Sequence, residues 1–331
     1  MAAPNFTGDG QQKTFEDLTC SSDSTTGLHG HLIFISVLNT FLSVTAFLGN
    51  ALILIALHKE SSLQLPSKLL LQNLASTDLC VGLISEPLAV IYLMSVVNKH
   101  WDICPFAERA QFITSYILCG VSVGTMTAIS VDRLLALLLG LRYRQVVTLK
   151  RTYVIVVTLW VNVTVMSALL FWNPLINLWC AIIAISLCLI ISTFSYTKIF
   201  FTLRQHQSQV QGHVQQPSQK NQLNIGRYKK AVSRAIWLQL TMVACYLPYC
   251  VVGVVAALVT NRGPSLSLAY TWMYVITLVY LNSSLNPILY CWKIEEVRQA
   301  VKDTIRQVLC HCFSSELLYT NTMERVNIND I

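Results

Sequence analysis

Asn73-Leu74-Ala75-Ser76-Thr77-Asp78-Leu79-Cys80-Val81-Gly82-Leu83-Ile84 sets an ionisable aspartate inside an apolar run that extends from Ser67 to Val97. A helix of about 20 residues crosses the roughly 30 Å hydrocarbon core of a bilayer, and this run is longer than that. An aspartate at the centre of an inserted helix costs about 2.5 to 3.5 kcal/mol. Asp78 therefore needs partners, and the rest of the chain has to supply them.

Six further stretches have the same character: His31 to Leu57, Cys104 to Leu139, Thr152 to Trp172, Ile176 to Phe201, Tyr228 to Val259 and Leu266 to Trp292. Hydrophobic residues make up 54% of the 331-residue chain and charged residues 12%, a balance that fits a polytopic membrane protein and not a water-soluble globule. The expected fold is an all-α bundle of seven membrane-spanning helices over residues 31–292. An outer segment, 1–30, precedes it, and an amphipathic helix and tail, 293–331, follow it. Spans longer than the minimum imply tilt or extension beyond the bilayer.

Cytoplasmic loops collect Lys and Arg, so their distribution gives the orientation. With the N-terminus outside, the outer segments hold Lys13, Lys99, Arg109 and Arg262, which leaves 19 of the 23 basic residues on the inner side. A multi-pass plasma-membrane protein with an extracellular N-terminus is expected. The net charge of +7 then reflects topology and attraction to anionic inner-leaflet lipid, and nucleic acid is not an expected partner. The first 30 residues lack the basic start and apolar core of a cleaved signal, so the first span is expected to direct insertion itself. Asn5-Phe6-Thr7 is a glycosylation sequon on the outer side, whereas those at Asn162 and Asn282 lie within spans.

Cys80, Cys119, Cys188, Cys245 and Cys291 fall inside spans and read as small packing residues. Cys20 and Cys104 both lie outside and can pair only if the fold brings them together. The connector from Thr202 to Arg227 is rich in glutamine and reads as a mobile cytoplasmic loop. Beyond the seventh span, Ile294, Val297, Val301, Ile305 and Val308 recur at steps of three or four, with Lys293, Arg298, Lys302 and Arg306 between them. That pattern predicts an amphipathic helix on the inner leaflet, followed by Cys310 and Cys312 as candidates for palmitoylation.

Other polar residues stand at depths comparable to Asp78: Asn50 in the first span, Ser122 in the third, and Asn282, Ser283 and Asn286 in the seventh. A shared polar chamber is the natural inference. Asn282 and Asn286, four residues apart, face the same way, and Pro287 leaves the carbonyl of Ser283 without its helical donor. At the inner end of the third span, Asp132 and Arg133 place an acid beside a base. Arg133 lies 11 residues, about three turns, after Ser122, so chamber and inner tip share a helix face.

Gly49-Asn50, Leu74-Ala75-Ser76-Thr77-Asp78, Asp132-Arg133-Leu134, Trp160, Tyr196, Cys245-Tyr246-Leu247-Pro248 and Asn286-Pro287-Ile288-Leu289-Tyr290 fall in order, one to each successive span. The chain thereby resembles the rhodopsin-like family of G-protein-coupled receptors. The resemblance implies an allosteric sodium ion at Asp78, Ser122, Asn282, Ser283 and Asn286, with no required cofactor. It implies that Arg133 meets a heterotrimeric G protein when the sixth helix swings outward, and that arrestin is a further partner. Tyr196 and Tyr290 match the tyrosines that support the open state, Pro248 matches the kink proline, and Tyr246 stands where a tryptophan toggle is usual. Leu134, Met242 and Cys188 depart from the pattern, and Glu108 occupies the position of the usual third-helix cysteine. The short second outer loop around Asn173-Pro174 looks like that of the melanocortin, cannabinoid, lysophospholipid and adenosine branch.

The ligand has to be argued from chemistry. Ser115 stands where amine receptors carry an aspartate and Tyr280 where opsins carry a lysine, which argues against a biogenic amine and against retinal. Glu86 and Glu108, near the outer ends of the second and third spans, are candidates to hold a cationic peptide group or to share a divalent cation. Water-exposed rim acids, or a Glu108–Arg109 pair, are the alternative. Tyr116, Tyr249 and Tyr280 are candidate pocket aromatics. A peptide, a lipid and a nucleoside all remain open as ligand classes. A channel or transporter using Asp78 as a cation path is the competing class, but it lacks a continuous polar face. Catalysis is not expected, since HExxH does not occur and His29, His31, His58 and His100 lie at span ends or outside.

Overall fold

The computed structural model describes residues 20, 29–59, 64–212, 219–259, 266–293, 298–299, 301–303 and 306. Seven long helices follow one another: α1 His29–Lys59, α2 Leu65–Val97, α3 Cys104–Leu139, α4 Leu149–Trp172, α5 Pro174–Gly212, α6 Gln219–Val259 and α7 Leu266–Lys293. Six of them are long and apolar enough to cross a membrane by length and composition. The seventh is diluted by Asn282, Ser283, Ser284 and Asn286, which are all buried in the bundle.

Polarity is inverted relative to a soluble protein. Phe34, Val37, Phe41, Ile190 and Phe194 face outward, while Asp78, Glu86, Asn50 and Asn282 are each 0% exposed. Without water in the bilayer core, backbone groups are satisfied within each helix and side-chain polar groups turn to one another. The main apolar core lies between α2, α3, α5, α6 and α7, around Leu74, Val123, Met242 and Tyr246. A smaller outer cluster joins Leu32, Tyr92, Leu93 and Met273 to Cys20 and Cys104.

Local chemistry explains the ends and breaks. Asn173 Oδ1 accepts from the backbone N–H of Leu175 (3.0 Å) and of Ile176 (3.1 Å), so this side chain caps the start of α5. Gly140 ends α3 at φ +49°, a left-handed conformation that glycine adopts without strain. Val81–Ser85 forms a π turn within α2, ahead of Pro87. A Cβ on Gly82 would lie 2.8 Å from the Ser43 carbonyl oxygen and the Phe47 nitrogen, so α1 and α2 meet backbone to backbone.

The connector departs from the mobile loop that its glutamine content predicts. Between Thr202 and Arg227, α5 continues to Gly212 and α6 begins at Gln219. Gln, Lys and Arg are good helix formers, and a helix leaving the membrane needs no further apolar face to persist. In the tail, Val301 is buried while Arg298, Lys302 and Arg306 are exposed. Asn5, Ile294, Val297, Ile305, Val308, Cys310 and Cys312 lie outside the described residues, as do the side chains of Tyr290, Lys229 and Lys230.

Candidate functional site

Asp78 is a hub for three helices. Its Oδ1 accepts from Ser122 Oγ of α3 and from Ser283 Oγ of α7, each at 2.9 Å, and its Oδ2 accepts from Asn286 Nδ2 at 2.7 Å. Asn50 Nδ2 reaches from α1 to the Ser283 carbonyl at 3.1 Å, the oxygen that Pro287 leaves without its helical donor. Asn282 turns its Nδ2 to Met126 Sδ at 3.4 Å. The expected chamber is thus assembled from α1, α2, α3 and α7. The Tyr246 hydroxyl of α6 faces Ser122 and Asp78, so the sixth helix reports to the same group.

Three buried acceptors in this chamber, Asn50 Oδ1, Asn282 Oδ1 and Asn286 Oδ1, have no hydrogen-bond partner among the described residues. Buried acceptors without donors are costly in hydrocarbon, and neutral oxygens around one carboxylate suit a hard monovalent cation. The donor set fits the sodium ion that the sequence resemblance implies.

At the inner end the acid and base are not a pair. Asp132 is buried and accepts from Ser67 Oγ at 2.8 Å and from Tyr143 Oη at 2.5 Å, whereas Arg133 is exposed, as are Arg142 and Arg144. Two hydroxyls already satisfy the carboxylate, so it does not need the guanidinium, which is left exposed. Tyr196 is half-buried and lies within electrostatic range of Arg133. Trp160 Nε1 donates to Asn73 Oδ1 (3.0 Å), whose Nδ2 donates to Thr125 Oγ1 (2.8 Å), a chain that binds α4, α2 and α3 at mid-depth.

In the outer half, Ser115 and Tyr280 are buried together. Gln111 Nε2 donates to Tyr280 Oη (2.7 Å), and the Ser115 and Tyr280 hydroxyls bond to each other. These two side chains therefore cross-link α3 and α7. Tyr249 is also buried and stacks at a tilt on Trp272, with ring centroids 5.1 Å apart, while Tyr116 is half-buried. The two outer acids part company. Glu86 is fully buried and within range of Asp78, whereas Glu108 lies 3.8 Å from Cys20 Sγ, beside the Cys20–Cys104 disulfide that ties the outer segment to α3.

Sequence reading does not single out Tyr143, Ser67, Gln111 or Asn39. Tyr143 follows the break at Gly140, and no periodicity signals that a short helix will return its hydroxyl to Asp132.

The sequence matches the family described as 7 transmembrane receptor (rhodopsin family) over residues 49–173 and 168–290. It is 29% identical over 167 residues to the mouse muscarinic acetylcholine receptor M3, covering 49% of this chain and 28% of that protein. It is 24% identical to mouse melanocortin receptor 5, covering 82% of this chain and 83% of that one. Against the dog adenosine receptor A2a the identity is 23%, over 84% of this chain and 73% of the relative. The chain spans 28% of the length of the mouse muscarinic relative and 27% of its rat counterpart, but most of the length of the other two.

Proposed function

The chain belongs to the rhodopsin family of seven-transmembrane receptors, and on that premise we propose that it is a G-protein-coupled receptor of the plasma membrane with its N-terminus outside. An extracellular ligand binds one of two bundle arrangements better than the other and so shifts their populations. The observation that carries this reading is Asp78, whose two oxygens are held by α3 and α7 while Tyr246 of α6 faces them. Moving α3 or α7 against α2 breaks a bond to a buried charge, so the arrangements are discrete.

Asp78, Ser122, Ser283, Asn282 and Asn286 would hold the sodium ion, which supplies the positive charge that the chamber lacks. These residues hold the inward arrangement together when the ion is bound. Arg133, exposed and unclaimed by Asp132, then contacts the G protein at the inner face, with Arg142 and Arg144 around it. Arrestin docks on the same face. Glycosylation at Asn5 and palmitoylation at Cys310 and Cys312 complete the reading.

The outer half gives the ligand its chemistry. Glu108 and exposed Arg109 near the start of α3, and the Tyr249–Trp272 aromatic pair between α6 and α7, support a ligand with a polar or charged group and an apolar body. The test is nucleotide exchange on purified G proteins by membranes carrying the chain, screened against peptide, lipid and nucleoside libraries. Arg133→Ala is expected to abolish exchange with ligand binding retained. Full exchange by that variant would remove the role given to Arg133.

A further inference from the structure

The second buried acid is treated in the opposite way to the first. Glu86 is 0% exposed, and neither of its carboxylate oxygens accepts a hydrogen bond from the described residues. Asp78 has three donors; Glu86 has none among them. Three more buried oxygens on the same two helices are likewise without a partner among the described residues: Ser85 Oγ of α2, and Asn39 Oδ1 and Ser36 Oγ of α1.

Helix register brings Glu86 and Asn39 to one level, with Ser85 and Ser36 within one turn of it along their own helices. Ser43 Oγ of α1 donates to the Gly82 carbonyl of α2 at 2.6 Å, which sets residue 43 beside residue 82. The two helices run antiparallel, so four residues up α2 from Gly82, at Glu86, correspond to four residues back along α1 from Ser43, at Asn39. Both steps are about 6 Å. Asn39 Nδ2 in turn donates to Thr277 Oγ1 of α7 at 3.1 Å. Glu86 is within electrostatic range of Tyr280 on α7 and of Cys119 on α3. The junction of α1, α2, α3 and α7 is therefore polar a second time, outside the Asp78 chamber.

The π turn gives the phase. In an unbroken α-helix, residue 86 lies about 80° around the axis from residue 78. A π turn absorbs one extra residue, which makes Glu86 equivalent to a position seven residues on, within about 20° of Asp78. Leu83 and Ile84, which occupy the turn, point outward at 56% and 41% exposed. Glu86 thus stands on the bundle-facing side of α2, about two turns above Asp78.

Positive charge from the described chain does not reach it. The described groups in electrostatic range of Glu86 are Asp78 on α2, Cys119 on α3 and Tyr280 on α7, none of them a cation. His31 of α1 is engaged with the Tyr274 hydroxyl at 2.8 Å, and Arg109 of α3 is exposed. A buried carboxylate with neither donor nor counter-ion is unfavourable, and a second carboxylate two turns away makes it more so.

We propose that Glu86, Ser85, Asn39 and Ser36 form a second monovalent-cation site, in line with Asp78 and outside it. Hard oxygen ligands with one negative charge match sodium in type and in charge. A divalent ion would need a second carboxylate, and the other outer acid, Glu108, sits at the disulfide. The inference extends the cation reading of the Asp78 chamber but does not depend on it.

The test is thermal unfolding of the purified full-length chain in lipid nanodiscs, with sodium chloride exchanged for choline chloride at constant ionic strength. The wild-type melting temperature is expected to rise with sodium in two concentration ranges. Glu86→Gln should remove one range and Asp78→Asn the other, and the double variant should remove both. Asn39→Ala, which deletes a neutral ligand and no charge, should move the Glu86 range to roughly threefold or more higher sodium. If Glu86→Gln responds to sodium as the wild type does, or if the Glu86 component follows pH and not sodium, the second site is overturned. Should Glu86→Gln not fold, an unchanged sodium response in Asn39→Ala overturns it instead. A response lost in Glu86→Gln but intact in Asp78→Asn would sustain the outer site and remove the inner one.

Discussion

Tyr143 and Asp132, 11 residues apart in the chain, are joined by a phenol-to-carboxylate hydrogen bond of 2.5 Å, with Ser67 Oγ on the other carboxylate oxygen at 2.8 Å. The acid beside Arg133 is thereby engaged from the short helix after α3 and from the start of α2. Its neighbouring arginine is left exposed.

Removing a donor should redirect that acid. Hydrogen bonds to charged groups contribute about 1.5 to 3 kcal/mol, so Tyr143→Phe leaves Asp132 in need of a partner and Arg133 is the closest cation in sequence. Ligand-stimulated nucleotide exchange by Tyr143→Phe is expected to fall by roughly tenfold at an unchanged surface level, and that of Ser67→Ala to fall less. Unaltered exchange in both variants would show that Asp132 does not compete for Arg133.

Gly82 has no room for a side chain. An added Cβ would meet the Ser43 carbonyl oxygen and the Phe47 nitrogen at 2.8 Å and Ala46 Cβ at 2.9 Å, so the α1–α2 approach must open. Overpacking of this kind costs about 1 to 3 kcal/mol. Gly82→Ala should lower the melting temperature by several degrees, while Gly30→Ala, which meets nothing within 4 Å, should leave it unchanged.

The Trp160–Asn73–Thr125 chain offers a coupling measurement. Polar pairs between membrane helices contribute about 0.6 kcal/mol on average and up to about 1.7. Trp160→Phe and Asn73→Ala should each destabilise the bundle, and the double variant should lose less than their sum. Strict additivity in thermal unfolding would mean the 3.0 Å bond carries no energy.

Cys20 and Cys104 are linked across 84 residues, with Cα atoms 5.8 Å apart. Chain-entropy reasoning gives a closure of that length about 4 to 5 kcal/mol in a freely unfolded chain. Helices held in a bilayer have less freedom to lose, so that is an upper bound. Cys20→Ser, Cys104→Ser and the double variant should all lower the melting temperature by the same amount, as should a reductant acting on the wild type.

Much of this protein is legible in the order of its residues. A bilayer permits only helices with internally satisfied backbones, so seven apolar runs dictate seven helices and their order. Asp78 in mid-membrane demands partners, and Asn50, Ser122, Ser283 and Asn286 at matching depth are the residues that surround it. The motifs also name the family, because their register along the chain is a property of sequence alone.

The remaining site chemistry required three dimensions. A straight helical wheel turns Glu86 away from Asp78, and only the π turn at Val81–Ser85 brings it back. Ser115 and Tyr280 read as pocket residues, yet they bond to each other across α3 and α7. Cys20 finds Cys104, and Asp132 chooses Tyr143 and Ser67 over the adjacent Arg133. Insertion into lipid is decided residue by residue along each span, so sequence determines it. Which buried polar atoms are satisfied, and which are left waiting for an ion, depends on the rotation and depth of neighbouring helices, and these are properties of the packed bundle alone.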